Sequence, residues 1–211
     1  MFRREARATQ QGAERLIALS SEHGFPLWLA VGTKFRGWAL TIQGNYEEGI
    51  TLVREGLAGM RATGTGMTGL SDLLLLADTC LEAGRLGEAM DALAEARRLM
   101  SQDEHQINAV IELFKGRLLC KLSISNAAEA RNCFRSAIEI ARNFNDKMTE
   151  LQATAALVRL LSSRGDRDEA RTRLSEIYNW FTEGFDIPDL KEAKAVLEEL
   201  GQKARQLHTA C

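Results

Sequence analysis

A short segment recurs along the chain at nearly constant spacing, and it constrains the fold more than any other feature. Its copies are GNYEEGI (44–50), GRLGEAM (84–90), SNAAEAR (125–131) and GDRDEAR (165–171). Aligned on the small residue after the acid, at Gly49, Ala89, Ala130 and Ala170, the copies are spaced by 40, 41 and 40 residues. A sustained period of this length is typical of stacked helical hairpins. The sequence therefore predicts an all-α fold built from repeats.

Each copy is expected to join two helices. An apolar segment precedes it, and glycine at 44, 84 and 165 can end that helix because glycine adopts the left-handed conformation without steric cost. Acids then begin the second helix, where they suit the helix dipole. The small residue and two later positions, four and seven residues on, define one helix face. Segment KLSIS (121–125) lengthens the turn of the third repeat.

The repeat predicts one helical-repeat domain over residues 1–211. Its expected parts are a leading helix (1–23), four repeats (25–64, 66–102, 104–144 and 146–183) and a capping helix (187–208). Asp186 or Asp189 can cap the last helix, with Pro188 in its first turn. Its apolar face is expected to close the open end of the stack through Leu190, Ala193, Val196, Leu197 and Leu200.

The amino-acid composition favours helix, and the net charge limits the classes of partner that are expected. The chain has two prolines, Pro26 and Pro188, and the residues between them are rich in Ala, Leu, Glu and Arg. A net charge of −2 argues against a nucleic-acid partner, because nucleic-acid binders normally carry a basic excess. No apolar run reaches the roughly 18 residues of a membrane helix, and the N-terminal residues of this sequence lack the apolar core and small-residue cleavage site of a signal peptide. A cytoplasmic location without a membrane partner is expected.

The repeat resembles the tetratricopeptide repeat. In that family a small residue of the first helix is followed three positions later by an apolar one, and Gly-x-x-x-x-Ala links the helices. In this chain the residues near the small position are Gly37, Ala77, Gly116 and Val158. The residues near the apolar position are Leu40, Cys80, Leu119 and Leu161. The resemblance implies a right-handed superhelix of about nine or ten helices. The usual period of 34 residues is shorter than this one, which implies longer helices or loops here.

A narrower resemblance covers nearly the whole chain. SEHGFPLWLAVGTKFRGWAL, GNYEEGITLVREGLAGMRATG and YNWFTEGFDIPDLKEAKAVLEEL are similar to the C-terminal helical-repeat region of bacterial multidomain ATPases of the nucleotide-cyclase or LuxR type. It implies that the chain is the tail of such a protein or a free-standing copy. A P-loop ATPase or cyclase domain, in cis or in trans, is then an expected partner. Catalytic activity is not implied, because the residues of those sites are absent from this sequence.

Motifs for catalysis, nucleotide binding or metal binding are weak or absent in the sequence. GTGMTG (64–69) matches GxGxxG, but it follows a helix where a dinucleotide site needs a strand, so a linker is expected. GxxxxGK[ST], GxSxG, HExxH and SxxK do not occur. His23, His105 and His208 lack metal-ligand spacing. No cofactor, metal or enzymatic activity is expected. An enzyme would need a buried polar pocket that holds a perturbed carboxylate or thiol.

Cysteine and tryptophan positions give further expectations. Three of the four cysteines, Cys80, Cys120 and Cys133, lie in apolar helical segments and are expected to be buried free thiols. Trp28 and Trp180 fall where packing between helices is expected. Trp38 follows a small position and faces the groove in the tetratricopeptide pattern. It either anchors a partner or packs against a neighbouring helix.

The same pattern predicts a partner-binding groove lined by Lys34, Trp38, Asp78, Glu82, Arg117, Lys121 and Arg159. Charges of alternating sign along it suit an extended or helical peptide, although such residues also occur on ordinary polar helix faces. The main hypothesis is a non-catalytic protein-interaction or scaffold module that binds a protein or peptide. The alternative is a regulatory or sensor tail of a signalling ATPase or cyclase. The apolar end of an array also allows a homodimer.

Overall fold

The computed structural model describes residues 5–64, 69–100, 106–161 and 164–209, and this part of the chain contains ten α-helices and no strand. The prediction of an all-α fold with nine to ten helices is confirmed. The helices are α1 (Ala6–His23), α2 (Pro26–Ile42), α3 (Tyr46–Ala62), α4 (Leu70–Glu82), α5 (Leu86–Leu99), α6 (Ile107–Leu122), α7 (Ala127–Asn143), α8 (Lys147–Leu160), α9 (Arg164–Trp180) and α10 (Pro188–Thr209).

The helices form two compact units. The N-terminal unit holds α1–α5, with α2 packed against both α1 and α3, and α4 packed against α5. Helix α4 also contacts α2 and α3. The C-terminal unit holds α6–α10, in which α7 packs between α6 and α8, and α9 and α10 both pack on α8. None of these described helices is long and apolar enough to cross a membrane.

Glycine brings α2 and α3 into backbone contact. A Cβ atom on Gly37 would lie 2.5 Å from the carbonyl oxygen of Gly49, and one on Gly56 would lie 2.6 Å from the carbonyl oxygen of Ala30. Neither position has room for a side chain. Val53, which lies between Gly49 and Gly56 of α3, is fully buried. The small positions of the repeat therefore set the distance between its two helices.

The predicted inward face of each second helix is confirmed. Among the residues of this face whose burial the structure describes, the buried ones are Gly49, Val53, Gly56, Ala89, Leu93, Ala96, Ala130, Phe134, Ala137, Leu174 and Ile177. The spacing of four and then three residues keeps them on one side of the helix.

Helix-ending glycines are confirmed at two of the three predicted turns. Gly44 and Gly84 have φ of 95° and 72° and follow the ends of α2 and α4. The prediction for Gly165 is wrong, because this residue lies inside α9. Helix α8 already ends at Leu160, and Leu161 leaves it in an extended conformation with ψ of 122°. In the third repeat the turn is made by extended Ser123 and a short 3-10 helix, Ile124–Asn126.

Helix α10 begins at Pro188, so Pro188 lies in its first turn as predicted, whereas Asp189, one of the two predicted caps, lies inside the helix. Leu190, Ala193 and Val196 are buried on one face, which packs against α8 and α9. Leu197 and Leu200 are only half-buried. The helix therefore covers apolar surface of the two preceding helices.

Candidate functional site

Three of the predicted groove residues lie in the interior of the N-terminal unit. Lys34 on α2 is buried and pairs through Nζ with the carboxylate of Asp72 on α4. The indole Nε1 of Trp38 donates a hydrogen bond to Oδ2 of Asp78, with a distance of 2.9 Å. Trp38 is 1% exposed and Asp78 is 2% exposed. These side chains hold α4 against α2 and do not form an open surface.

The start of α4 explains how Asp72 can be buried with its charge. Its Oδ2 accepts a hydrogen bond from the backbone N–H of Gly69, over 3.3 Å, while Oδ1 faces Lys34. The carboxylate lies in the first turn, where the helix dipole also favours a negative charge. Glu82, the fourth predicted residue of this unit, is half-buried at the end of α4.

The other three predicted residues, Arg117, Lys121 and Arg159, line one cleft in the C-terminal unit. The cleft has a volume of about 450 Å³ and lies among α6, α8 and α10. The structure thus brings together the predicted residues of the third and fourth repeats. It adds acidic side chains from α10 to the same cleft.

The floor of the cleft is apolar. It is formed by Leu113, Phe134, Ala155, Ala156 and Leu160. The ring of Phe134 lies directly against the backbone of α6, because a Cβ atom on Gly116 would be 2.5 Å from ring atom Cε1. Ala155 and Ala156 on α8 line the same cleft as this ring.

The charged groups of the cleft differ in their partners. The guanidinium of Arg159 on α8 forms an ion pair with Glu192 on α10. Gln152 Nε2 donates to Asp189 Oδ1 over 2.8 Å, so the second acid of α10 is also bonded to α8. On α6, the guanidinium carbon of Arg117 lies 5.5 Å from the ring centroid of Phe114, and Lys121 is exposed. With three basic and two acidic side chains, the cleft carries a net charge of +1.

The groups in the cleft suit binding better than covalent chemistry. Cys120 is exposed overall, but partial burial of its thiol raises the pKa, so the reactive thiolate is disfavoured at neutral pH. No histidine is among the residues that line the cleft. In the described ranges, no group of three or more His, Cys, Asp or Glu side chains could hold a metal ion.

Several sequence expectations about exposed residues are corrected. Trp28 is 53% exposed and Trp180 is 56% exposed, so neither is buried in a helix interface, although Lys147 Nζ on α8 lies 6.0 Å from the centroid of the Trp180 ring. Trp28 lies in the first turn of α2, and Trp180 ends α9 with its ring edge-on to Phe181. Cys120 is exposed, whereas Cys80 and Cys133 are buried as predicted.

Some expectations fall outside the described residues. These are most of GTGMTG, which spans 64–69, together with His105, Cys211 and the side chain of His208.

The groove predicted from sequence contains three of the twelve residues that line the cleft, and the residues it missed include Phe134, Gln152, Asp189 and Glu192. Phe134 was assigned only to the core, and Asp189 only to a helix cap. The one available signal was that the acids lie in the first turns of the last helix, as Asp72 does in α4.

No family model matches the chain.

Proposed function

We propose that the chain is a non-catalytic protein-interaction module and that the cleft of the C-terminal unit binds a short segment of a partner protein. The observation that carries the proposal is the combination, in one open cleft, of an apolar floor with charged side chains on its walls. Binding sites commonly have this combination, because apolar groups supply affinity and a few polar groups fix orientation.

The size of the cleft supports a segment over a folded surface. Its volume of about 450 Å³ is in the lower part of the range of about 300–1,000 Å³ that ligand sites occupy. Such a volume accommodates one or two large side chains. Helix and extended-strand ligands both insert isolated side chains into grooves of this kind.

The proposal is tested with a displayed library of random dodecapeptides selected on the intact chain. Selected peptides are labelled with a fluorophore, and their affinities are measured by fluorescence polarisation. The variant Ala156→Trp fills the cleft with an indole and should weaken binding by at least about tenfold, as expected when a central apolar contact of about 1.4 kcal/mol or more is lost. Ala195→Trp is the matched control, because Ala195 is exposed on α10 and outside the cleft lining.

An independent readout uses the native thiol at the cleft. In a Cys211→Ser background, a bound peptide should slow alkylation of exposed Cys120, while buried Cys80 and Cys133 serve as internal references. If selected peptides bind Ala156→Trp as tightly as wild type and leave the Cys120 rate unchanged, the cleft is not the binding site.

A further inference from the structure

We infer that the cleft recognises its partner segment through one large uncharged apolar side chain, and that charge complementarity contributes little to the affinity. This inference rests on the proposed function and specifies the chemistry of the partner. It follows from the contacts of the charged side chains on the cleft walls, most of which are already engaged within the protein.

Four of the five charged side chains that line the cleft have interactions inside the C-terminal unit. Arg159 forms an ion pair with Glu192. Asp189 accepts a hydrogen bond from Gln152. Arg117 is half-buried, its guanidinium lies over an aromatic ring of α6, and it has a further interaction of its own. A charged partner would have to compete with these contacts.

The fifth charged side chain, Lys121, is exposed in the last turn of α6. Its ammonium group is strongly hydrated, so a carboxylate of the partner would pair with it in contact with solvent. Exposed ion pairs of this kind contribute little free energy, because water and salt screen them. Lys121 therefore gives the cleft no strong preference for an acidic partner.

The apolar side chains of the cleft offer the larger gain on binding. Ala156 and Leu160 on α8 are half-buried and line the cleft, so part of their apolar surface is open to solvent there. The more deeply buried Leu113 and Phe134 line the same space. An aromatic or large aliphatic side chain placed here removes apolar surface of both partners from water. A charged side chain would lose hydration, which costs free energy unless an opposite charge compensates for it.

The engaged wall groups still help to orient a neutral segment. The carboxylate of Glu192 keeps acceptor capacity beyond its pair with Arg159, because an ionised carboxylate has about four lone-pair sites. A backbone N–H of the partner can therefore bond to it without breaking the pair. The walls attach α10 to α8 and position the partner's backbone, while the apolar side chain supplies the affinity.

Two displayed dodecapeptide libraries test this chemistry. One encodes no ionisable residue, the other is unrestricted, and both are selected on the intact chain. Cleft-dependent binders are those weakened by Ala156→Trp. The neutral library should yield such binders, with affinities within about threefold of those from the unrestricted library, because the wall charges add little. Binders from the unrestricted library should weaken by less than about twofold as NaCl rises from about 0.05 M to 0.5 M.

Paired charge variants on the wild-type background give a second readout with a peptide from the unrestricted library. Ala156→Asp and Ala156→Lys place opposite charges among the apolar residues of the cleft, and both should weaken binding by about tenfold. The same two substitutions at Ala195, which is exposed and outside the cleft lining, are the matched controls and should change affinity by less than about twofold. The salt titration uses the unaltered chain, so it remains decisive if a variant fails to fold.

Three results overturn this inference and leave the proposed function standing. The first is that only the unrestricted library yields cleft-dependent binders. The second is that these binders weaken by about tenfold or more over the same range of salt. The third is that one of the two Ala156 charge variants strengthens binding while the other weakens it. If neither library yields cleft-dependent binders, the proposed function is contradicted as well.

Discussion

The two units use corresponding repeat positions in opposite ways. In the N-terminal unit, Lys34 and Trp38 of α2 are buried and bonded to Asp72 and Asp78 of α4. In the C-terminal unit, Arg117 of α6, the residue after its small position as Trp38 is in α2, lines an open cleft. The same position of the pattern thus serves as core in one unit and as surface in the other.

This difference shows that the burial of a residue at a repeat position depends on the next helix that packs against it. Trp38 can be buried because Asp78 on α4 accepts a hydrogen bond from its indole N–H. Arg117 lines a cleft together with Ala155, Ala156 and Arg159 of α8. A buried polar group needs a hydrogen-bond partner, and the indole N–H of Trp38 has one in Asp78. The predictions below change one unit and use the other as reference.

The largest effect is expected where backbones touch in the N-terminal unit. Gly37→Val would place side-chain atoms against the carbonyl of Gly49, and α2 and α3 would have to separate. We expect a loss of about 4 kcal/mol or more in the free energy of unfolding, measured by urea denaturation. Gly12→Ala is the control, because a Cβ there meets nothing within 4 Å. A helix-interior alanine should stabilise α1 by about 0.5–1 kcal/mol. Equal stability of the two variants would contradict the close packing.

A smaller effect is expected from the buried ion pair. Asp72→Ala leaves the Lys34 ammonium buried without its carboxylate and should cost about 3–5 kcal/mol. Glu192→Ala removes the partner of Arg159 at a site that is 39–50% exposed, and it should cost at most about 1 kcal/mol. Denaturation of both variants in the same buffer compares the units directly. If Asp72→Ala lowers the free energy of unfolding by no more than Glu192→Ala does, the pair of Lys34 and Asp72 is exposed to solvent and the account of its burial is wrong.

The indole hydrogen bond should have an intermediate cost. Trp38→Phe keeps most of the ring but removes the donor to Asp78, and it should destabilise the chain by about 1–3 kcal/mol. Trp28→Phe makes the same chemical change at an exposed ring and should alter stability by no more than about 0.5 kcal/mol. Thermal unfolding followed by circular dichroism distinguishes the two. Similar melting temperatures for the two variants would show that the Trp38 bond contributes little.

The smallest effect on folding is expected at the cleft. Lys121→Glu changes one charge on an exposed side chain, so the free energy of unfolding should stay within about 1 kcal/mol of wild type. The same measurement on Lys34→Glu, which opposes Asp72 with a like charge in the interior, should show a loss several times larger. If the cleft variant is the less stable of the two, Lys121 is structural.

The sequence predicted the local features of the fold better than its site. Gly44 and Gly84 end helices as expected, because a left-handed φ is a local property that glycine signals on its own. The inward position of Val53 likewise follows from helical spacing. The prediction that Gly165 ends a helix was wrong, because α8 ends before it at Leu160 and Leu161 is extended. Gly165 therefore lies within α9.

The site could be predicted only in part, because it depends on which helices meet. Arg117, Lys121 and Arg159 were identified from the repeat pattern. The burial of Trp38 was left open, since the sequence does not show that Asp78 reaches its indole. Glu192 was missed because it lies 33 residues from Arg159 along the chain and its pairing depends on how α10 packs.

The most direct test of the account maps a bound peptide onto both units at once. A peptide selected on the intact chain from the random dodecapeptide library is titrated into ¹⁵N-labelled protein, and shifts of the backbone amides are followed by NMR. We predict that the perturbed amides cluster around the cleft in α6, α8 and the first turns of α10, with those of α2 and α4 unchanged. Perturbation centred on Lys34 and Trp38 would contradict the account.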